Sequence, residues 1–205
     1  QAQRQTTTGH CNSALGYNSL LSNTTGCNNV GIGLFALCLS TTGSHNTAIG
    51  TRTLAENTTG AKNTAIGYRS LCSNTSGLNN VALGAFVLDA NTTGCCNTAV
   101  GQNSMVSNTT GCLNTAFGNC SLQANTTANN NTAVGACSLY ANTTGANNTA
   151  IGFKSLMTNT TGAQNTGSGY RSFLYNTTGS YNSGHGYETL LYNTTGGGNT
   201  ASGFY

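Results

Sequence analysis

The sequence predicts an all-β fold: a parallel β-solenoid, or β-roll, of about twelve 17-residue coils. Three observations predict it. The chain repeats itself without a break, glycine and asparagine hold fixed repeat positions, and small polar and β-branched residues dominate. Residues 57–73 read NTTGAKNTAIGYRSLCS, and the pattern recurs every 17 residues through the 205-residue chain. With repeat position 1 set at Thr6, there are eleven full units and a twelfth cut at position 13, with no insertion or deletion. A constant period of this kind marks one structural unit stacked on itself.

The consensus is N-T-T-G-x-x-N-T-A-I-G-x-x-S-L-x-x. Position 11 is Gly in all twelve units, from Gly16 to Gly203, and position 4 is Gly in eleven, Ala128 being the exception. Recurrent Gly marks backbone that needs positive φ or close approach of another segment. N-T-T-G and G-x-x-S read as two turns that bracket two short extended segments, N-T-A-I and S-L-x-x. Position 10 carries Leu15, Ile32, Ile49, Ile66, Leu83, Val100, Phe117, Val134 and Ile151. Position 15 is Leu in nine of its eleven occurrences, with Met105 and Phe173 in the others. These two rows are the expected apolar core.

A helical solenoid unit needs roughly 30 or more residues and would not put Gly, Asn and Thr at most sites. Seventeen residues fit one β-coil bonded to the next at ~4.8 Å, which makes a rod of about 55–60 Å from twelve coils. Stacking in register places position 7 in a ladder of Asn12, Asn29, Asn46, Asn63, Asn80, Asn97, Asn114, Asn131, Asn148, Asn165, Asn182 and Asn199. Stacked amides satisfy one another's donors and acceptors. Two large apolar side chains per coil still make a thin core. Either several chains pool their apolar faces around a common axis, or ladders and disulfides staple one narrow coil.

Three segments follow along the chain: a lead-in over 1–5, the regular solenoid over 6–158, and divergent Tyr-rich terminal coils of the same solenoid over 159–205. In the last, position 10 becomes Ser168, His185 and Ser202, and Tyr170, Tyr175, Tyr181, Tyr187, Tyr192, Phe204 and Tyr205 gather. Tyrosines suit a docking surface, so these seven are the expected subunit interface. A solenoid end must be capped or paired, and no polar capping segment is evident at either terminus. The chain starts at Gln1 without Met or signal peptide, so it reads as processed or as a piece of something longer. Gln1 and Tyr205 both fall at position 13, so a head-to-tail neighbour would continue the coil. Head-to-tail contacts that do not close produce open filaments.

Composition excludes several function classes. Charged residues are 4% of the chain, against about 25% in ordinary soluble domains. The net charge of +3 comes from six scattered basic residues, which make no nucleic-acid-binding face. No stretch approaches the roughly 20 apolar residues of a membrane span, so no membrane insertion is expected. Apolar residues make up 37% and recur at fixed positions, which argues against disorder. The three acids, Glu56, Asp89 and Glu188, sit in different units, as do His10, His45 and His185. That leaves no acid–base pair, catalytic triad or metal cluster, and neither an enzyme nor a cofactor is expected.

Nine cysteines in so uncharged a chain point to an oxidising, extracellular setting. They occupy only positions 5, 6, 13 and 16, which read as turns or outward sites. Cys95 with Cys112, and Cys120 with Cys137, share a position in consecutive units; Cys11 with Cys27 is a looser third disulfide candidate. Stacked Cα atoms roughly 4.8 Å apart lie within disulfide range. An odd count leaves at least one thiol free or bonded to another chain. The N-T-T turn also creates glycosylation acceptors at Asn23, Asn57, Asn74, Asn91, Asn108, Asn125, Asn142, Asn159, Asn176 and Asn193, with off-phase acceptors at Asn119, Asn130 and Asn147. The competing reading is plain turn chemistry, and crowding at ~4.8 Å favours it.

The stretches NTAIGYRSL (63–71) and NNTAIGFKSL (147–156) carry a resemblance. N-T-A-I-G-x-x-S resembles the head repeats of trimeric autotransporter adhesins, close to S-V-A-I-G-x-x-S, and is similar to shaft repeats of phage and giant-virus tail-fibre-type proteins. The unit here is a little longer than the adhesin unit, by its N-T-T-G turn. The resemblance implies a left-handed parallel β-roll on a cell or virion surface, used for adhesion or as a fibre shaft. The resulting expectation is a structural extracellular fibre or shaft subunit that self-associates, as a head-to-tail polymer or a homotrimer. An adhesin head binding a surface ligand or glycans is the alternative. Ice binding is third, because Thr ranks are present but the T-x-T pattern of a flat face is missing.

Overall fold

The computed structural model describes residues 5–205, so the rest of the lead-in and the Gln1 end of the phase match lie outside the described residues. Twelve three-residue strands, one per coil at repeat positions 8 to 10, run from β1 (Ser13–Leu15) through β6 (Thr98–Val100) to β12 (Thr200–Ser202). They form one parallel sheet in strict sequence order. Ser13 pairs with Val30 at one end and Ser183 with Thr200 at the other, always one repeat apart. The chain is a β-solenoid, and the Tyr-rich region is built on the same coil in the same register.

Successive strand residues point to opposite sides. In T-A-I the Ala of position 9 points inward: Ala48, Ala65, Ala82 and Ala99 are all fully buried. The position 10 row therefore faces out, with Ile66 40%, Phe117 54% and Leu15 68% exposed. This corrects the expected core. The interior of so narrow a coil takes one small and one large apolar residue per turn, and the large one is position 15, buried from Leu20 through Leu156. Burying each such Leu contributes about 2 kcal/mol. Phe173 shows how close the fit is. Where Phe enters the Leu row, Gly167 and Gly184 replace the neighbouring alanines, and a Cβ on Gly184 would stand 2.5 Å from Phe173 Cε2.

The second expected extended segment, S-L-x-x, is instead part of a run of turns over positions 12 to 17. Positions 6, 13 and 15 adopt left-handed backbone, and apart from Gly198 they do so without glycine, as in Lys62 (φ 58°), Arg52 (φ 57°) and Leu54 (φ 49°). Each such residue costs about 1–2 kcal/mol, and at position 15 the burial of the Leu offsets that residue's own cost. The alternation also aims successive N–H groups at the two neighbouring coils. Arg52 N–H reaches back to the Leu34 carbonyl at 2.8 Å, and Leu54 N–H reaches forward to the Ser70 carbonyl at 3.1 Å. At position 11 only Gly serves. Gly118 has φ 141°, and a Cβ there would meet the Gly135 carbonyl at 2.7 Å.

N-T-T-G is an inter-coil clamp. The N–H groups of Thr24, Thr25 and Gly26 converge on the Thr41 carbonyl at 2.9, 3.2 and 3.4 Å, and Thr24 Oγ1 donates to the same oxygen at 3.0 Å. Beside it run two buried amide ladders. At position 7, Asn29 Oδ1 accepts the Asn46 backbone N–H at 2.9 Å and its Nδ2 at 3.2 Å, while Asn29 Nδ2 donates to the Gly43 carbonyl at 2.8 Å. At position 1, Asn74 Nδ2 donates to Asn57 Oδ1 at 2.8 Å and to the Gly77 carbonyl at 3.0 Å. Ser40 interrupts this second ladder, leaving Ser40 Oγ and Asn23 Oδ1 buried without a partner. Ser40→Asn is expected to restore both links and stabilise the fold by about 1–2 kcal/mol. Urea unfolding checks this, and an unchanged or lower midpoint refutes it.

Candidate functional site

Among the described residues, no three His, Cys, Asp or Glu side chains gather where they could hold a metal ion, and no helix is long and apolar enough to cross a membrane. The side chains singled out from the sequence lie along the sides of the rod.

Two cysteine pairs come into register. The Cys95 and Cys112 sulfurs lie 2.9 Å apart, and the Cys95 N–H donates to Cys112 Sγ at 3.0 Å. The hydrogen bond with Cys112 pushes the Cys95 thiol up to about 12, with burial and the neighbouring Cys112 and Cys96 adding to it. Burial, with Cys137 one coil away, also raises the Cys120 thiol. The third candidate is corrected: the register sets Cys27 against His10, with His10 Nδ1 2.7 Å from Cys27 Sγ, while Cys11 occupies the neighbouring row. Cys72 departs from the outward reading as well. It is buried at position 16, and that burial, with Asp89 nearby, raises its thiol, whereas Cys38 at the same position is half-buried.

The in-phase glycosylation acceptors are also corrected. Asn23, Asn57, Asn74, Asn91, Asn108, Asn125, Asn142, Asn159 and Asn176 are completely buried, and Asn193 is half-buried. From Asn57 onward their amides are committed to the position 1 ladder, so a glycan on a folded coil has nowhere to go. The off-phase Asn119, Asn130 and Asn147 are exposed.

The aromatic residues expected to form one interface split between sides of the rod. Phe153, Tyr170, Tyr187 and Phe204 form one stacked column at position 12, with the Tyr170 and Tyr187 centroids 4.9 Å apart. Tyr175 and Tyr192 stack at position 17 with centroids 5.4 Å apart, Tyr181 is exposed at position 6, and Tyr205 tilts against Phe204. Residues close in sequence but different in repeat position lie on different sides of a coil. A groove of about 350 Å³ between the two columns is lined by Lys154, Met157, Thr158, Tyr170, Arg171, Leu174 and Tyr175, with no carboxylate, His or Cys.

Two ion pairs escaped the sequence reading. Arg69 Nε and Nη2 contact the Asp89 carboxylate at 3.2 and 3.0 Å, and Arg171 Nη1 contacts Glu188 Oε1 at 2.5 Å. The signal for the second was there, in opposite charges 17 residues apart at position 13 of successive coils, whereas Arg69 and Asp89 lie 20 residues apart at different repeat positions. Both pairs are part-buried, their carboxylates more enclosed than their guanidinium groups. No protein-family model, curated protein or solved structure matches this chain.

Two measurements check this geometry. In a glycosylating host, mass spectrometry of the acceptors is expected to find glycans at Asn119, Asn130 and Asn147 and none at the buried Asn57 to Asn176; an occupied Asn91 in folded protein contradicts the buried ladder. In the reduced protein at pH 8.5, Cys95 stays a neutral thiol and forms thiolate only as the pH climbs toward its raised value. Its alkylation is therefore expected to run about tenfold or more slower than that of exposed Cys96, and equal rates contradict the thiol pairing.

Proposed function

We propose that the chain is a non-catalytic structural subunit of an extracellular fibre or shaft, whose coils continue from one subunit to the next. One observation carries this reading: each coil offers its neighbour a forward face and a different, complementary backward face, repeated without a register slip. Forward go the N–H groups of positions 2, 3 and 4 to one carbonyl, as Thr58, Thr59 and Gly60 do to Thr75; backward go those of positions 6, 11 and 13, as Lys62 does to Ser44. A contact between unlike faces is heterologous, and without rotation to a closed ring it propagates as a filament. At the Tyr205 end, a coil that extends the stack must bring a carbonyl to Thr194, Thr195 and Gly196 and an amide to Asn199 Oδ1, which a coil of this same repeat supplies.

The chemistry suits a load-bearing rod. The inter-coil bonds run along the axis, so tension is shared by every bond of a coil step rather than by one. Oxidation of Cys95 with Cys112, and of Cys120 with Cys137, would tie three successive coils covalently in an oxidising medium.

Cryo-EM of the assembled material tests the proposal. The expected result is a continuous filament whose ~4.8 Å layer spacing crosses subunit boundaries unbroken. Discrete rods one subunit long overturn it; three such rods around one axis would favour the adhesin head instead.

A further inference from the structure

The sheet face is a side of the rod that coil chemistry leaves unpartnered. Positions 8 and 10 project outward from it, Thr or Val beside Ile, Leu or Val in most coils, with Leu15, Ile32, Ile66, Phe117 and Ile151 all exposed. Tyr17, Tyr68 and Phe153 border them at position 12. No Lys, Arg, Asp or Glu stands at positions 8, 10 or 12 of any coil; the charges begin at position 13 with Arg52, Arg69, Lys154, Arg171 and Glu188. From position 8 to 12 the strip is ~13 Å wide and over twelve coils ~55 Å long, or about 700 Å². Ten of its position 8 residues are Thr or Ser, so its apolar part is the position 10 row of the first nine coils with the position 12 aromatics. That part covers about 300 Å², the size at which the largest apolar patch of a monomer is often functional; one side of a stable interface covers about 800 Å². A charge-free centre holding aromatics, beside a charged rim, is the composition of an interface core.

We propose that this face pairs laterally, sheet against sheet, with a second copy of the chain. Its side-chain rows recur every ~4.8 Å, so a partner meets them along the whole length only if it has the same period, and another copy has it by construction. A two-fold axis presents the same strip on both partners, with the sheets ~10 Å apart. With coils counted from Thr6, an antiparallel pair in full overlap sets coil 4 opposite coil 9, so Ile66 faces Ile151. The pairing belongs to the side of the rod and holds whether or not rods also join end to end.

The test is the number of chains per layer, read as mass per length for filaments or by sedimentation equilibrium for separate rods. Wild-type protein is expected to hold two chains per layer, twice the 20.8 kDa of one rod. Ile66→Lys with Ile151→Lys places charge in the strip at two outward positions, and is expected to halve that value while circular dichroism stays unchanged. Ile66→Glu with Ile151→Glu is expected to do the same, and an equimolar mixture of the two variants to restore two chains. One or three chains per layer in the wild type, a Lys variant that stays paired, or a mixture that does not re-pair overturns the proposal. Single wild-type rods with a thermal hysteresis that the variants lose would overturn it too, and assign the face to ice. End-to-end joining is read separately, from rod length.

Discussion

Every coil must present its hydrogen-bonding groups at the same height as the coils above and below it, and the rest of the structure depends on that constraint. Backbone donors and acceptors point along the rod axis, so each coil is completed only by its neighbours. An insertion of one residue would displace a whole ladder by a step and turn inward side chains outward. The 17-residue period is therefore as strictly kept as it is, while the identity of the outward residues drifts.

The buried asparagines answer a second demand. A coil this narrow cannot fill its corners with apolar side chains, and its turn carbonyls would be stranded away from water. Asn meets both needs, since Nδ2 caps a turn carbonyl such as that of Gly60 and Oδ1 accepts from the coil beyond. Polar burial of this kind is stabilising only when complete. The gap at Ser40 is an exception inside the position 1 row, because a hydroxyl is too short to bridge its two neighbours. The hydroxyls of Thr6 and Ser19, near the start of the rod, are likewise buried without a partner.

The same economy explains why the rod's outer face is apolar. Inward space is taken by Ala and Leu rows, and the β-branched residues that favour an extended strand are left facing out. Ile at position 10 serves strand formation, and its exposure follows from the sheet's parity. Strand propensity and solvent exposure pull in opposite directions here, and a partner on that face would relieve the conflict.

How much of this was legible beforehand depends on what repeats. Period, coil number, parallel register and the Asn12–Asn199 ladder follow from the sequence alone, because in-register stacking turns a linear period into a spatial contact one repeat away. So did the juxtaposition of Cys95 and Cys112 in neighbouring coils. Which side each position faces was not legible. The choice between Ala at position 9 and Ile at position 10 for the interior is made by the radius of the coil, and the left-handed residues at positions 13 and 15 that set this radius carry no glycine to announce them. The same radius drew the N-T-T asparagines inward and away from any glycan, and sent the terminal tyrosines to separate sides. Sequence by itself determined what stacks on what. Tertiary structure alone decided what lies inside, because facing is a property of the closed coil and no single residue encodes it.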